Sequence, residues 1–355
     1  MGEQFIDIHN LHGRYARARE RLLADPRITP GNKELIERFL REAALGKTVV
    51  GKAKKKIGPA RLINYTKHFI AMAGYLPADL TQATHDEIER LVVSIESDQI
   101  RSRTLRVIDG CRRPTHALLS PQYKSDLKVT IKKFYKWLLG GCRVYPELVE
   151  WIDTYVQHRE MRALSESEIS TILERATSTF DRAFVQVLYD GGFRVGEILN
   201  VRLRHVTLVP VDPAEPGKRC FMIHIPFSKS IRRTVALPMP ATLKWLKAWL
   251  EEHPARPLIG PDGALTAADP DALLFHLSFS TCQQRLRRLG VRVLGRAIHP
   301  HLLRHSSATF WSNRLSYFQQ CKRFGWTLTS KMPQRYIDRQ GIDELNVARE
   351  FLASI

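Results

Sequence analysis

Twice in the first 150 residues a hydroxyl residue is followed at once by proline and then by apolar side chains at helical spacing, and this pattern limits the fold more than any other feature of the chain. In "TPGNKELIERFLREAAL" Thr29 can cap the free N–H groups of a helix, and Pro30 takes the first helical position, where its missing N–H is not needed. Leu35, Ile36, Phe39 and Leu40 then fall on one face. "SPQYKSDLKVTIKKFYKWLLG" repeats the device and stops at Gly140 and Gly141. "GPARLINYTKHFIAMAGYL" has the same period, and "TQATHDEIERLVVSIES" reads as another capped amphipathic helix. The spacing predicts a small all-helical domain over residues 31–155, preceded by a basic N-terminal extension, residues 1–30.

The stretch after Gly140 runs through glycine, proline and a short basic piece, which sets a domain boundary near residue 160. A second domain, residues 163–355, begins with Ser165 and Glu168 at the spacing of a helix N-terminus. Within it "CFMIHIPFSKSIRRTVALPMP" is apolar on both sides of a polar centre and predicts a β-hairpin with Lys229 at or near its turn. The expected class is mainly α with a small β-sheet or hairpin: a helical domain followed by an α+β domain. No fixed-period repeat interrupts this plan.

Fifty-five Lys and Arg against thirty-six Asp and Glu give a formal net charge of +19. A polyanionic partner follows, and nucleic acid is the obvious one. Lys52, Lys54, Lys55, Lys56 and Arg61 form one basic cluster, and Arg101, Arg103, Arg106, Arg112 and Arg113 a second. The sequence contains no run of about eighteen apolar residues, so a membrane partner is not expected. The first residues lack the apolar core of a secretory signal, which predicts a cytoplasmic location. Five scattered cysteines suggest neither a disulfide framework nor a metal knuckle.

Two stretches carry side chains suited to chemistry on an anion. "LYDGGFRVGEILNVRLRHV" places Arg194 between a glycine pair and a helix start, with Glu197 one turn on to orient it. "AIHPHLLRHSSATF" puts His301, Arg304 and His305 three to four residues apart, so their tips converge on one volume. His301 and His305 also have the i, i+4 spacing of zinc-binding helices. No glutamate follows His301, so the HExxH form is absent and no metal is expected.

Downstream order sharpens this. Arg194 is followed by Lys229 in the hairpin, then His301 and Arg304, then Trp326 and Tyr336 in "FGWTLTSKMPQRYID". This ordered set over residues 163–340 resembles the tyrosine recombinases, or phage integrases, and the helical domain ahead of it is similar to their core-binding domain. The resemblance implies a site-specific DNA recombinase that works through a 3′-phosphotyrosine intermediate without metal, ATP or cofactor. Tyr336 would be the nucleophile. Arg194 and Arg304 would bind the non-bridging phosphate oxygens, His301 would accept the tyrosine proton, and Lys229 would protonate the departing 5′-oxygen. Trp326 would position and pack. Glu197 would orient a basic side chain, and His305 would support its helix from behind as a buried, hydrogen-bonded histidine. Tyr317 is the alternative nucleophile, and Arg232 and Arg233 are the alternatives to Lys229. The resemblance further implies double-stranded DNA with specific recombination sites as the partner, a DNA-bound tetramer coupled by the tail of residues 342–355 docking on a neighbour, and association with the nucleoid. A type IB topoisomerase and a non-cleaving DNA-binding protein of the same fold are the competing functions.

Overall fold

The computed structural model describes residues 6–50, 56–102, 105–108, 111–157, 161–212, 214–227, 232–340 and 352. The chain divides into two compact units, Asn10–Arg159 and Met1–His9 with Glu160–Ile355.

The first unit contains α1 (Leu11–Ala24), α2 (Pro30–Ala44), α3 (Pro59–Met72), α4 (His85–Glu96), β1 (Leu105–Ile108), β2 (Cys111–Pro114), α5 (Pro121–Leu138) and α6 (Glu147–Glu150). Its caps act where the sequence puts them: the Thr29 and Ser120 side chains accept from the backbone N–H of Asn32 and Tyr123, and Thr84 with Glu87 closes a reciprocal capping box. Leu35, Ile36, Phe39 and Leu40 are all buried. Phe39 packs edge-on against Phe69 and Phe134 at ring distances of 6.3 and 5.4 Å, and the Trp137 indole N–H at the border of this cluster donates to Glu42 at 2.8 Å.

Two expectations about this unit are corrected. Residues 1–30 are not a separate basic extension. Leu11–Ala24 is a helix of the first unit that lies against α3 and buries Ala18 and Leu22. Ala18 and Leu22 are the two buried residues of an Arg-rich helix, which leaves little amphipathic signal in the sequence. Nor is the domain all-helical, because β1 and β2 pair antiparallel, with Arg106 opposite Arg113 and Val107 opposite Arg112. The Asp109-Gly110 dipeptide between them is a strong hairpin signal, obscured because the second flank, Cys111–Pro114, carries two adjacent arginines and no apolar alternation.

The second unit contains α7 (Glu166–Arg175), α8 (Thr179–Gly191), α9 (Val195–Ile198), a 3₁₀ turn (Leu203–His205), β3 (Val206–Asp212), β4 (Glu215–Ile225), β5 (Arg233–Leu237), α10 (Pro240–Glu252), β6 (Leu258–Ile259), β7 (Leu265–Thr266), α11 (Phe279–Leu294), α12 (Pro300–Ser312), α13 (Tyr317–Phe324) and α14 (Met332–Gln340). Strands β3, β4 and β5 form one antiparallel sheet in that order. The expected hairpin is β4–β5, with Ile225 opposite Arg233, and Phe221, Ile223 and Ile225 alternate into the core. β3, not anticipated, adds the third strand. Helix α8 is the hub, packing on α7, α10, α12 and β5, and this is why Ala183 to Gly191 are buried without interruption. Residues 6–9 close on this unit: Asn200 accepts from the Ile6 N–H at 2.8 Å, and Ile8 packs against the core.

Candidate active site

The site starts at the corner between α8 and α9. Gly192 ends α8 with φ 58°, the left-handed conformation that glycine adopts without strain. A Cβ there would lie 2.2 Å from the Phe324 ring and 2.8 Å from the Ser307 hydroxyl. What comes close to Gly192 is the protein's own α12 and α13. Gly192→Ala is expected to cost about 3 kcal/mol or more, from the left-handed backbone together with the clash. Denaturant unfolding of the variant checks this.

The turn sets Arg194 at the head of α9, where its backbone N–H and its Nη1 both donate to Glu197, at 2.9 and 2.8 Å. Glu197 is buried and also receives a two-pronged contact from Arg233 on β5, at 3.1 and 2.9 Å. Burial alone would raise the Glu197 pKa. The hydrogen bonds and charge of Arg233, aided by Arg194, overcome that and hold it at about 2.

A third guanidinium enters from α12. Arg304 is buried, donates to the carbonyls of Gly192 and Phe324 (the latter at 2.7 Å), and lies 5.5 and 5.7 Å from the Phe324 and Trp326 ring centres. No carboxylate among the described residues hydrogen-bonds to it. Burial, then the charge of Arg194, push its pKa down to about 9, which leaves it protonated at neutral pH. Three successive carbonyls at the end of α13 collect the three arginines: Arg323 O accepts from Arg233 Nε at 2.8 Å, Phe324 O from Arg304, and Gly325 O from Arg194 Nη2 at 3.2 Å. Glu197 pairs with two of the three guanidiniums, Arg194 and Arg233, and Arg304 is held by carbonyls alone, so the volume between Arg194 and Arg304 is strongly attractive to an anion.

The three histidines of α12 separate in role. His299 is the helix cap, its Nδ1 accepting from the Leu302 N–H at 3.1 Å. His301 is exposed. Loss of solvent around its ring, followed by the charge of Arg304 and of other neighbours including Arg194, lowers its pKa, so the neutral, proton-accepting form prevails at pH 7. His305 is buried, and its ring meets the Tyr336 ring edge-on at 5.1 Å. Its Nδ1 lies 3.4 Å from the Thr309 hydroxyl, so it is a buried histidine within hydrogen-bond reach of its own helix, with the tyrosine ring against it. Of the i, i+4 pair, His301 is thus exposed and His305 buried.

Tyr336, on α14, is buried at 7% exposure, with its ring stacked 5.8 Å from Trp326, which in turn stacks on Phe324 at 4.8 Å. Tyr317, the alternative nucleophile, donates its hydroxyl to the carbonyls of Leu328 and Ser330 at 3.0 and 2.7 Å. It holds the loop that leads into α14.

Lys229 lies outside the described residues, as do Lys52, Lys54, Lys55, Arg103 and residues 342–351 and 353–355 of the tail. Lys56, Arg61 and Arg101 are exposed on the first unit. In the sequence Arg233 stands only as an alternative to Lys229. Its place as the buried partner of Glu197 was missed, because nothing in "SIRRTV" tells which arginine turns inward.

The phage integrase family matches residues 162–340, just over half of the 355-residue chain. Tyrosine recombinase XerA of Saccharolobus solfataricus is 25% identical over 181 residues, 51% of each chain. Tyrosine recombinase XerC of Stutzerimonas stutzeri is 32% identical over 130 residues, 36% of this chain and 38% of that protein. The matches thus span about half, or less, of those relatives. Among solved structures, XerH site-specific recombinase bound to palindromic difH substrate aligns over 96% of both chains with a TM-score of 0.55 at 15% identity. A lambda integrase tetramer bound to a Holliday junction aligns over 87% of this chain and 78% of its own, with a TM-score of 0.54 at 15% identity. At such identities these two show a shared fold alone. The family match itself covers every element that brings Arg194, Arg304 and Tyr336 into one unit, and on it the chain belongs to the phage integrase family of tyrosine recombinases.

Proposed function

We propose that the chain is a site-specific DNA recombinase that cleaves and rejoins strands through Tyr336. The observation that carries this reading is the pair of guanidiniums, from α9 and α12, held on the successive carbonyls of Gly325 and Phe324 beside the tyrosine's own stacking partner, Trp326. A phosphodiester is the anion that two such forks fit, one non-bridging oxygen each.

In the proposed reaction the Tyr336 oxygen attacks phosphorus. The new O–P bond forms as the bond from phosphorus to the 5′-oxygen breaks, leaving a 3′-phosphotyrosine and a 5′-hydroxyl. His301 takes the tyrosine proton and Lys229 supplies one to the 5′-oxygen. The phosphotyrosine conserves the energy of the broken bond, so the strand can be rejoined to a new partner without ATP. Side chains carry both the charge stabilisation and the proton transfers. Tyr336 packs between Trp326 and His305, close enough to Arg304 for their charges to interact. Lys56, Arg61 and Arg101, with the basic residues near them in sequence, would grip the flanking duplex. The tetrameric assembly on a Holliday junction of lambda integrase supports the same assembly for this chain, with the tail docking on a neighbour.

Incubation with nicked duplexes from the flanks of its own gene, without divalent metal, tests the reading. A denaturation-resistant protein–DNA adduct is the expected result, and exchange of strands between two paired sites separates a recombinase from a topoisomerase. Tight binding to the same DNA with no adduct would leave a non-cleaving binder. The rate of adduct formation is expected to fall with an acid limb below pH 6.5, because His301 has a lowered pKa and is a base only when neutral. In His301→Gln that limb should be gone; a limb unchanged by the substitution would assign the base elsewhere.

A further inference from the structure

The end of α13 receives all three site arginines, and a buried ion pair outside the residues assigned above holds that end in place. Asp190, in the last turn of α8, is fully buried. Its Oδ2 accepts from the Met239 N–H at 3.1 Å and the Thr242 hydroxyl at 2.7 Å, which fixes the carboxylate against the start of α10. Arg323 Nη2 donates to Asp190 Oδ1 at 3.1 Å and to the Asp190 carbonyl at 2.7 Å, while Nη1 donates to the Ala236 carbonyl on β5 at 3.0 Å. The guanidinium also lies 4.1 Å over the Trp311 ring, whose N–H donates to the same Asp190 carbonyl at 3.0 Å. One side chain thus ties α13 to α8, β5 and α12.

Such a pair is a poor device for stability. Desolvation offsets most of the attraction, Arg323 Nε is buried without an acceptor among the described residues, and apolar side chains of similar volume commonly serve as well or better. What a guanidinium fork adds is direction, since its planar donors fix angle as well as distance. The residue it fixes begins the Arg323–Phe324–Gly325 run, whose carbonyls hold Arg233, Arg304 and Arg194.

We propose that Arg323 and Asp190 are a positioning pair for DNA cleavage, holding the end of α13 where its carbonyls aim Arg304 and Arg194 at the scissile phosphate. The inference rests on the recombinase reading above. Neither side chain touches DNA; both act through the backbone they hold.

The test uses the full chain with Arg323→Met, which keeps much of the length but not the fork. Adduct formation should slow roughly 10- to 100-fold, the penalty typical of a slightly misplaced catalytic group. DNA affinity should stay within about threefold, because phosphate contacts along the duplex dominate it. A second readout does not depend on activity: exchange of the Arg304 guanidinium protons, followed by ¹⁵N-arginine NMR and assigned by Arg304→Lys, should speed up at least about tenfold as its carbonyl acceptor loosens. If Arg323→Met does not fold, Arg323→Lys, which keeps the charge but cannot bridge Asp190 and Ala236 together, takes the same two measurements. Unchanged guanidinium exchange overturns the positioning pair whatever the protein does to DNA, as does an unchanged adduct rate. Absence of adduct from the wild type overturns the recombinase reading instead, and the exchange rate still decides the pair.

Discussion

Tyr336→Phe is expected to abolish the covalent adduct completely while leaving DNA binding within about threefold of wild type, since binding rests on phosphate contacts the substitution does not touch. The variant lacks only one hydroxyl. Its ring keeps the stack on Trp326 and the edge-on contact with His305, so the stability change should be on the order of 1 kcal/mol. Tyr317→Phe provides the contrast. Its hydroxyl is committed to the carbonyls of Leu328 and Ser330, and its loss loosens the loop ahead of α14 without removing a nucleophile. This variant should therefore still form the adduct, more slowly. Denaturing electrophoresis of both variants on one nicked duplex reads the difference directly. Adduct retained by Tyr336→Phe and lost by Tyr317→Phe would reverse the assignment and require the Tyr317 loop to unfold before attack.

Helices whose caps and apolar faces are both written locally, such as α2 and α5, could be read from sequence almost residue by residue. Elements whose stability comes from a partner could not. β3 is a strand because β4 lies beside it, and α1 is part of the first unit because α3 accepts Ala18 and Leu22. The same division runs through the site. Arg194, Arg304 and Tyr336 could be picked out because their order along the chain resembles that of a known family. The backbone carbonyls that hold the arginines leave no mark in a sequence, and neither does the inward turn of Arg233 or the side of α12 that His305 occupies. Each of these is decided by tertiary contacts across scores of residues, such as the 36 that separate Arg233 from Glu197. The glycines show the limit well. The pair at 191–192 is plain in the sequence, but what approaches it is Phe324, 132 positions downstream of Gly192.

Arg304→Lys, although it conserves charge, is expected to slow adduct formation by roughly 10²–10³, the cost typical of removing one preorganised donor from a transition-state oxyanion. Geometry makes the exchange severe. The guanidinium spans the carbonyls of Gly192 and Phe324, and those two contacts set the plane in which its remaining N–H groups point. A single ammonium on a shorter reach cannot satisfy both carbonyls and still present a donor to a phosphate oxygen. Burial compounds the loss: the same desolvation that pushes the Arg304 pKa down to about 9 acts on a lysine whose ordinary pKa is about two or more units lower, so part of the population would be neutral at pH 7. The defect should accordingly ease as the pH is lowered from 8 toward 7, whereas wild type, whose arginine stays protonated, should show no such gain. Affinity for the duplex, and its dependence on salt, should change little, which separates a failure of transition-state stabilisation from a failure to bind. Retention of the rate within about fivefold would show that Arg304 serves only to join α12 to α8 and α13, and the scissile phosphate would then have to be held by Arg194 with a different partner.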